Sequence, residues 1–122
     1  MTKFAIICLI YIQSLAHGFD PRIITAQVFV ESSFRPGVVN RGCYGLMQIN
    51  YETWRKELKL DKARMLEVNY NINIGLNILT IYYQQTGDIW KALNRYNNGY
   101  KYHSNYVHKV RAAMNKIYGG RR

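Results

Sequence analysis

Two cysteines, two prolines and seven acidic residues are all that these 122 residues hold of those types, and each scarcity removes a class of protein. Cys8 and Cys43 are too few for a disulfide framework and lack metal-ligand spacing. Buried free thiols are their default reading, with a single bridge as the alternative in an oxidising compartment. His17, His103 and His108 have neither close spacing nor carboxylate company, so they read as surface or capping residues, and neither a metal nor another cofactor is expected. With only 2 Pro, 9 Gly and 48% hydrophobic residues, the chain is not disordered, collagenous or of low complexity. No repeat or linker divides it, so residues 1–122 read as one domain, expected to be monomeric.

Negative charge is sparsest at the end: no acid follows Asp88, whereas Lys91, Arg95, Lys101, Lys109, Arg111, Lys116, Arg121 and Arg122 all do. The formal net charge is +10, which points to an anionic partner: nucleic acid, anionic lipid or a charged cell-wall polymer. The basic C-terminal third is either a solvated helix face with a tail or an anion-binding surface. Nucleic acid is set aside because no helix-turn-helix, RNP or zinc-finger pattern accompanies the charge.

Long apolar runs are missing too, so no stable transmembrane anchor is expected. Lys3 followed by Phe4 to Ile12, with Ser14-Leu15-Ala16 behind, has the outline of a short signal peptide. Because the next element starts at Asp20, residues 1–17 are read instead as a retained, buried first helix, a cleaved leader being the alternative.

What is present is helical punctuation. Asp20-Pro21 is an N-cap with proline at the first helical position, and Ile23, Ile24, Val28, Phe29 and Val30 follow in a segment apolar nearly all round. Pro36, Gly37, Gly42 and Gly45 mark Phe34 to Asn50 as an irregular loop, and Tyr51 to Leu58 resumes a helical pattern. Asp61 can cap a short helix through Leu66. Ile72, Leu76, Leu79 and Tyr83 repeat at helical spacing up to Gly87, and Asp88 opens a helix through Ile89, Leu93 and Tyr96. Ser104 or Asn105 opens the last, with Val107, Val110, Met114, Ile117 and Tyr118 as its inner stripe. The fold class is therefore mainly α, with at most a small hairpin in the loop.

Glu31 stands out because it closes an apolar helix where a carboxylate has little reason to be. Desolvation and the negative end of the helix dipole both favour its neutral form. A carboxyl held protonated near neutral pH is a general acid, whereas a Glu turned outward at a frayed helix end would do nothing. The surrounding blocks separate these cases: Glu31-Ser32-Ser33-Phe34-Arg35-Pro36, then Gly45-Leu46-Met47-Gln48-Ile49-Asn50, then Ala92-Leu93-Asn94-Arg95-Tyr96-Asn97-Asn98-Gly99. In that order and spacing they resemble the soluble lytic transglycosylase family, lysozyme-like enzymes that cut peptidoglycan glycan strands, over about His17 to Ile117.

The resemblance implies a lysozyme-like fold of the goose-type and lytic transglycosylase kind, with Glu31 as the single catalytic acid and base. It implies that Ser32 helps fix the turn beyond it and stands among the substrate-binding residues. Small residues at Gly45 to Gln48 would admit the sugar chain, with Met47 and Gln48 in contact with it. Tyr96 would stand beside the carboxyl, Asn97 and Gly99 would shape the same wall, and Tyr106 would be a later aromatic in the groove. Asn40 stands nine residues after the glutamate, where many relatives carry serine, and would donate to an acetamido oxygen. The interval from Asn40 to Gly45 is one residue short of the fuller pattern, and Cys43-Tyr44 replaces small residues there.

The implied substrate is the glycan strand of peptidoglycan, approached through the basic C-terminal third, and the implied product a 1,6-anhydromuramoyl end. Rival readings are a lysozyme that admits water to the same bond, and a catalytically dead wall-binding protein. A small basic wall-cutter of this kind also resembles phage endolysins and virion-borne lytic proteins, the exported alternative being secretion and pilus systems.

Overall fold

Helix ends are set where the sequence places small polar residues and glycines. A computed structural model describes residues 1–99, 101 and 105–119; His103, Ser104, Arg121 and Arg122 lie outside the described residues. Thr2 caps α1 (Lys3–Ala16) by accepting the Ala5 N–H at 3.1 Å. Asp20 caps α2 (Pro21–Ser32) by accepting the Arg22 N–H at 2.9 Å. The loop folds into three two-residue strands, β1 (Val39–Asn40), β2 (Cys43–Tyr44) and β3 (Ile49–Asn50), forming an antiparallel β1-β2-β3 meander. Val39 faces Tyr44 and Cys43 faces Asn50, so the sheet has one strand more than the hairpin expected.

Asn50 caps α3 (Tyr51–Trp54), which is shorter than the pattern to Leu58 suggested; it breaks into turns before Lys59, whose φ is +52°. The helix expected after Asp61 is a 3-10 turn, Lys62–Arg64. α4 (Val68–Thr86) ends at Gly87 in the left-handed conformation, and Asp88 accepts the Trp90 and Lys91 N–H groups to open α5 (Ile89–Asn98). α6 (Asn105–Tyr118) closes the described chain.

Five consecutive buried residues, Ile24 to Val28, show why α2 reads as apolar all round: it runs through the middle of the bundle. It packs most extensively on α6, with α1 across it, while α4 packs on α5 and α1. α1 buries only Ile6, Ile10 and Ser14, leaving Phe4, Ile12 and Leu15 exposed, so the first helix is covered on one face rather than buried outright. On α4, Ile72, Leu76 and Leu79 are buried, whereas Tyr83 lies at the rim with its ring edge-on to Phe19 at 6.0 Å. The inner stripe of α6 is Tyr106, Val110 and Ala113; Ile117 and Tyr118 are exposed, and the Tyr118 hydroxyl pairs with that of Tyr11 at 2.6 Å. The cysteines are free but not buried: Cys8 is exposed and Cys43 half-buried.

The loop is fastened to α4 by one residue absent from any sequence expectation. Asn71 is 1% exposed. Its Oδ1 accepts the Met47 N–H at 2.8 Å, and its Nδ2 donates to the carbonyls of Tyr44 and Met65, both at 2.8 Å. Beneath the loop the Met47 side chain presses on α4 at Gly75, where an added Cβ would lie 2.4 Å from its sulfur.

Asn71→Ala leaves one N–H and two carbonyls without partners in a buried place. Because each orphaned group costs about 1–3 kcal/mol, the variant should lose about 3 kcal/mol or more of stability in urea unfolding, with the cleft loop the first segment to lose hydrogen-exchange protection.

Candidate active site

α2 ends abruptly beside Glu31 because Ser33 and Phe34 both adopt left-handed backbone, with φ of +54° and +61°, a conformation unfavourable for side-chain-bearing residues. Phe34 then packs its ring on Phe29 at 5.7 Å. This fixes Glu31 on the last turn of α2, at the wall of a cavity of about 390 Å³ between the sheet and the α4–α5 pair. Asn40, Arg41, Cys43 and Gln48 come from the loop, Trp54 from α3, Tyr82 from α4, and Tyr96 and Asn97 from α5. Among the described residues lining it, Glu31 is the single carboxyl. A second, smaller cavity also touches Glu31 and Asn97, with Asn105, Tyr106 and Lys109 along it.

The Glu31 pKa is pushed up from 4.5 to about 7 by desolvation, against the pull of a hydrogen bond from Tyr106. That bond is short, 2.6 Å from the Tyr106 hydroxyl to Oε2, and it favours the ionised form. The phenol itself is held well above the usual tyrosine range, by burial first and then by the nearby charge of Glu31.

Of the residues singled out by sequence, some line the cleft and others are buried away from it. Tyr96 does stand on the same cavity wall as Glu31, close enough to feel its charge, but the hydroxyl bonded to the carboxyl belongs to Tyr106; that of Tyr96 donates to the Met47 carbonyl at 2.7 Å, tying α5 to the loop. Met47 is fully buried on Gly75, so its side chain does not reach the cleft and cannot contact a sugar. Gly45 is also buried; its φ of +75° and the Asn71 amide, 2.4 Å from where a Cβ would sit, require glycine there, rather than room for a glycan. Ser32 is 2% exposed and bonds back to the Val28 carbonyl at 3.1 Å; its own carbonyl accepts the Arg35 N–H. It holds the turn and has no surface to offer a substrate. Gln48, with φ of +50°, donates to the Val38 and Gly45 carbonyls while lining the cavity. Asn40 and Asn97 are exposed on its wall.

Arg41, Trp54 and Tyr82 also line the cleft although the sequence does not single them out as site residues, and Arg95 joins them from within the third sequence block, where no role is assigned to it. Of the acids that follow Glu31, Glu52 pairs with Arg55 at 3.1 Å and Asp61 caps the 3-10 turn, and none of them lines the cleft.

A mainly helical domain that sets one half-buried, near-neutral-pKa carboxyl in a groove between helices and a small sheet is of the lysozyme-like class. Residues 9–118 match the family model of the Transglycosylase SLT domain, and the chain belongs to that family, whose members act on the peptidoglycan of the cell wall. Searches of curated proteins and of solved structures returned no match. No described helix is long and apolar enough to cross a membrane.

Two outcomes follow from the electrostatics. Tyr106→Phe removes the one contact that favours ionisation, so the Glu31 carboxyl should titrate above about 7, read by carboxyl ¹³C NMR. Because the folded-state pKa lies above the unfolded value, the folded protein binds the extra proton, and stability is lost as pH rises from about 4.5 to about 7. At about 1.4 kcal/mol per unit, Glu31→Gln should be more stable than the parent by about 3 kcal/mol at pH 8 and by little at pH 4, as measured by denaturant unfolding.

Proposed function

We propose that the chain is a peptidoglycan lytic transglycosylase, cleaving the β-1,4 bond between N-acetylmuramic acid and N-acetylglucosamine and leaving a 1,6-anhydromuramoyl end. The observation that carries this reading is the solitary carboxyl: Glu31 is poised near neutrality, and no second carboxylate lines its cavity among the described residues. The usual glycosidase scheme needs two carboxyl groups, so a lone one favours a route assisted by the substrate.

With Tyr106 donating to Oε2, Oε1 is the oxygen left to carry the catalytic proton. Glu31 gives that proton to the glycosidic oxygen as its bond to C1 of the muramoyl residue breaks. The carbonyl oxygen of the same sugar's 2-acetamido group stabilises the positive charge that develops at C1. Now a carboxylate, Glu31 takes the proton of the C6 hydroxyl, and O6 forms the bond to C1 while the acetamido oxygen departs. The acid is restored and no water is consumed. Asn40, Gln48 and Asn97 lie where they can orient the sugars, an effect that grows with the accuracy of placement. Lys109, Arg111 and Lys116, all of α6, give the surface a cationic side that favours anionic envelope polymers.

Mass spectrometry of products from purified peptidoglycan tests the reading. Anhydromuramoyl ends are expected, and Glu31→Gln should lower the rate by about a hundredfold or more while remaining folded. The rate should fall as pH rises through about 7, since the acid must start protonated. Reducing ends would assign a hydrolase instead, and full activity in Glu31→Gln would remove Glu31 from the chemistry.

A further inference from the structure

Gln27 is a buried polar side chain used neither by the fold nor by the chemistry above. It precedes Glu31 by one turn on α2, so the two side chains share a face of the helix. It has no exposed surface, and neither its amide nitrogen nor its amide oxygen has a hydrogen-bond partner. Buried amides are almost always paired, so an orphan within an active-site helix calls for an explanation. The amide lies against the Tyr106 hydroxyl, close enough to favour the phenol's charged form, although the contact falls short of hydrogen-bond geometry. Tyr106 in turn donates to Glu31 Oε2. Three polar side chains thus stand in series, the first of them poised but not engaged.

A phenol has one proton and two lone pairs. If an amide N–H occupies a lone pair, the proton has one direction left, toward Glu31. We propose that Gln27 is a positioning residue for the catalytic acid: its amide N–H engages the Tyr106 oxygen, directs the phenol proton to Oε2, and so keeps the acid's own proton on Oε1. Hydrogen bonds of this kind are often long without substrate and tighten in the complex. Without Gln27 the phenol can turn, and protonated Glu31 can place its proton on Oε2 and donate it to Tyr106, away from the glycosidic oxygen. That misdirection slows proton transfer and also stabilises the neutral carboxyl. The proposal rests on reading Glu31 as the general acid.

Gln27→Met and Gln27→Leu test it on the whole chain. Both remove an unpaired amide from a buried place, so melting temperatures should hold or rise. The Glu31 carboxyl, followed by ¹³C NMR without substrate, should titrate higher than in the parent, and release of soluble muropeptides should fall about tenfold. In the Tyr106→Phe background the same substitutions should change neither quantity further, because Gln27 acts through Tyr106. An unchanged Glu31 titration in the folded variants, or an equal fall in rate in the Tyr106→Phe background, would overturn the proposal. Should both variants misfold, nuclear Overhauser contacts between the Gln27 amide protons and Tyr106 in the parent decide it, their absence counting against. A parent chain that releases no muropeptides would defeat the enzymatic reading alone, since the titration decides the role of Gln27 independently.

Discussion

The cleft exists because one amide on α4 holds a loop that has little means of holding itself. Between Val39 and Asn50 the chain makes three strands of two residues each, far too short to be stable alone. Asn71 holds this segment with two bonds, accepting the Met47 N–H and donating to the Tyr44 carbonyl, and its second amide hydrogen goes to the Met65 carbonyl beyond it. Glycine follows from that contact: Gly45 must lack a side chain to lie on the amide, and Gly75 must lack one to receive Met47. The loop, once fixed, presents the Met47 carbonyl to the Tyr96 hydroxyl. Through that bond α5, with Asn97 beside Tyr96, is held at the opposite wall. The geometry of the cavity is thus a consequence of packing beneath it rather than of contacts within it.

Backbone strain is distributed the same way. The described non-glycine residues with positive φ are Ser33, Phe34, Arg41, Gln48 and Lys59, and the first four all fall between the end of α2 and the floor of the cleft. Each such conformation costs free energy and persists only where its surroundings over-determine it. At Ser33 and Phe34 the strain stops α2 just past Glu31, keeping the carboxyl at the helix's negative end. At Gln48 it turns an amide that bonds the loop carbonyls while its side chain lines the cavity.

Much of this order was legible in the sequence, because caps and periodicity are local. Asp20-Pro21, Gly87-Asp88 and the apolar spacing of Ile72, Leu76 and Leu79 mark helices that the structure shows within a residue or two. Glu31 was conspicuous for a local reason as well, a carboxylate ending an apolar helix. What the sequence left hidden depends on direction. A motif records spacing, not which way a side chain turns, so Met47, Gly45 and Ser32 read as cleft residues although all three are buried. The bond from Tyr106 to Glu31 spans 75 residues, and Asn71 and Gln27 are polar members of helices whose apolar pattern drew the eye. Polar side chains in such helices read as the outward face, and only packing reveals that these two point in.

Charge placement decides whether the site can act as an acid at all. Seventeen cationic side chains face seven acidic ones, so an arginine paired with Glu31 would be the statistically easy outcome, and it would hold the carboxyl ionised. An adjacent guanidinium lowers a carboxyl's pKa by one to three units, and the group would lose its proton well below neutrality. The ion pairs of the described residues lie instead on exposed ground, Asp20 with Arg22, Glu52 with Arg55 and Glu67 with Arg64. Arg41 and Arg95 line the cleft, yet neither contributes to the Glu31 shift, which comes from desolvation and a neutral phenol alone. A phenol can hold one carboxyl oxygen without supplying a full charge, so it orients the acid while leaving desolvation dominant. That division lets a strongly basic protein hold a carboxyl whose pKa lies near neutrality, with its ion pairs on exposed ground and an uncharged donor within.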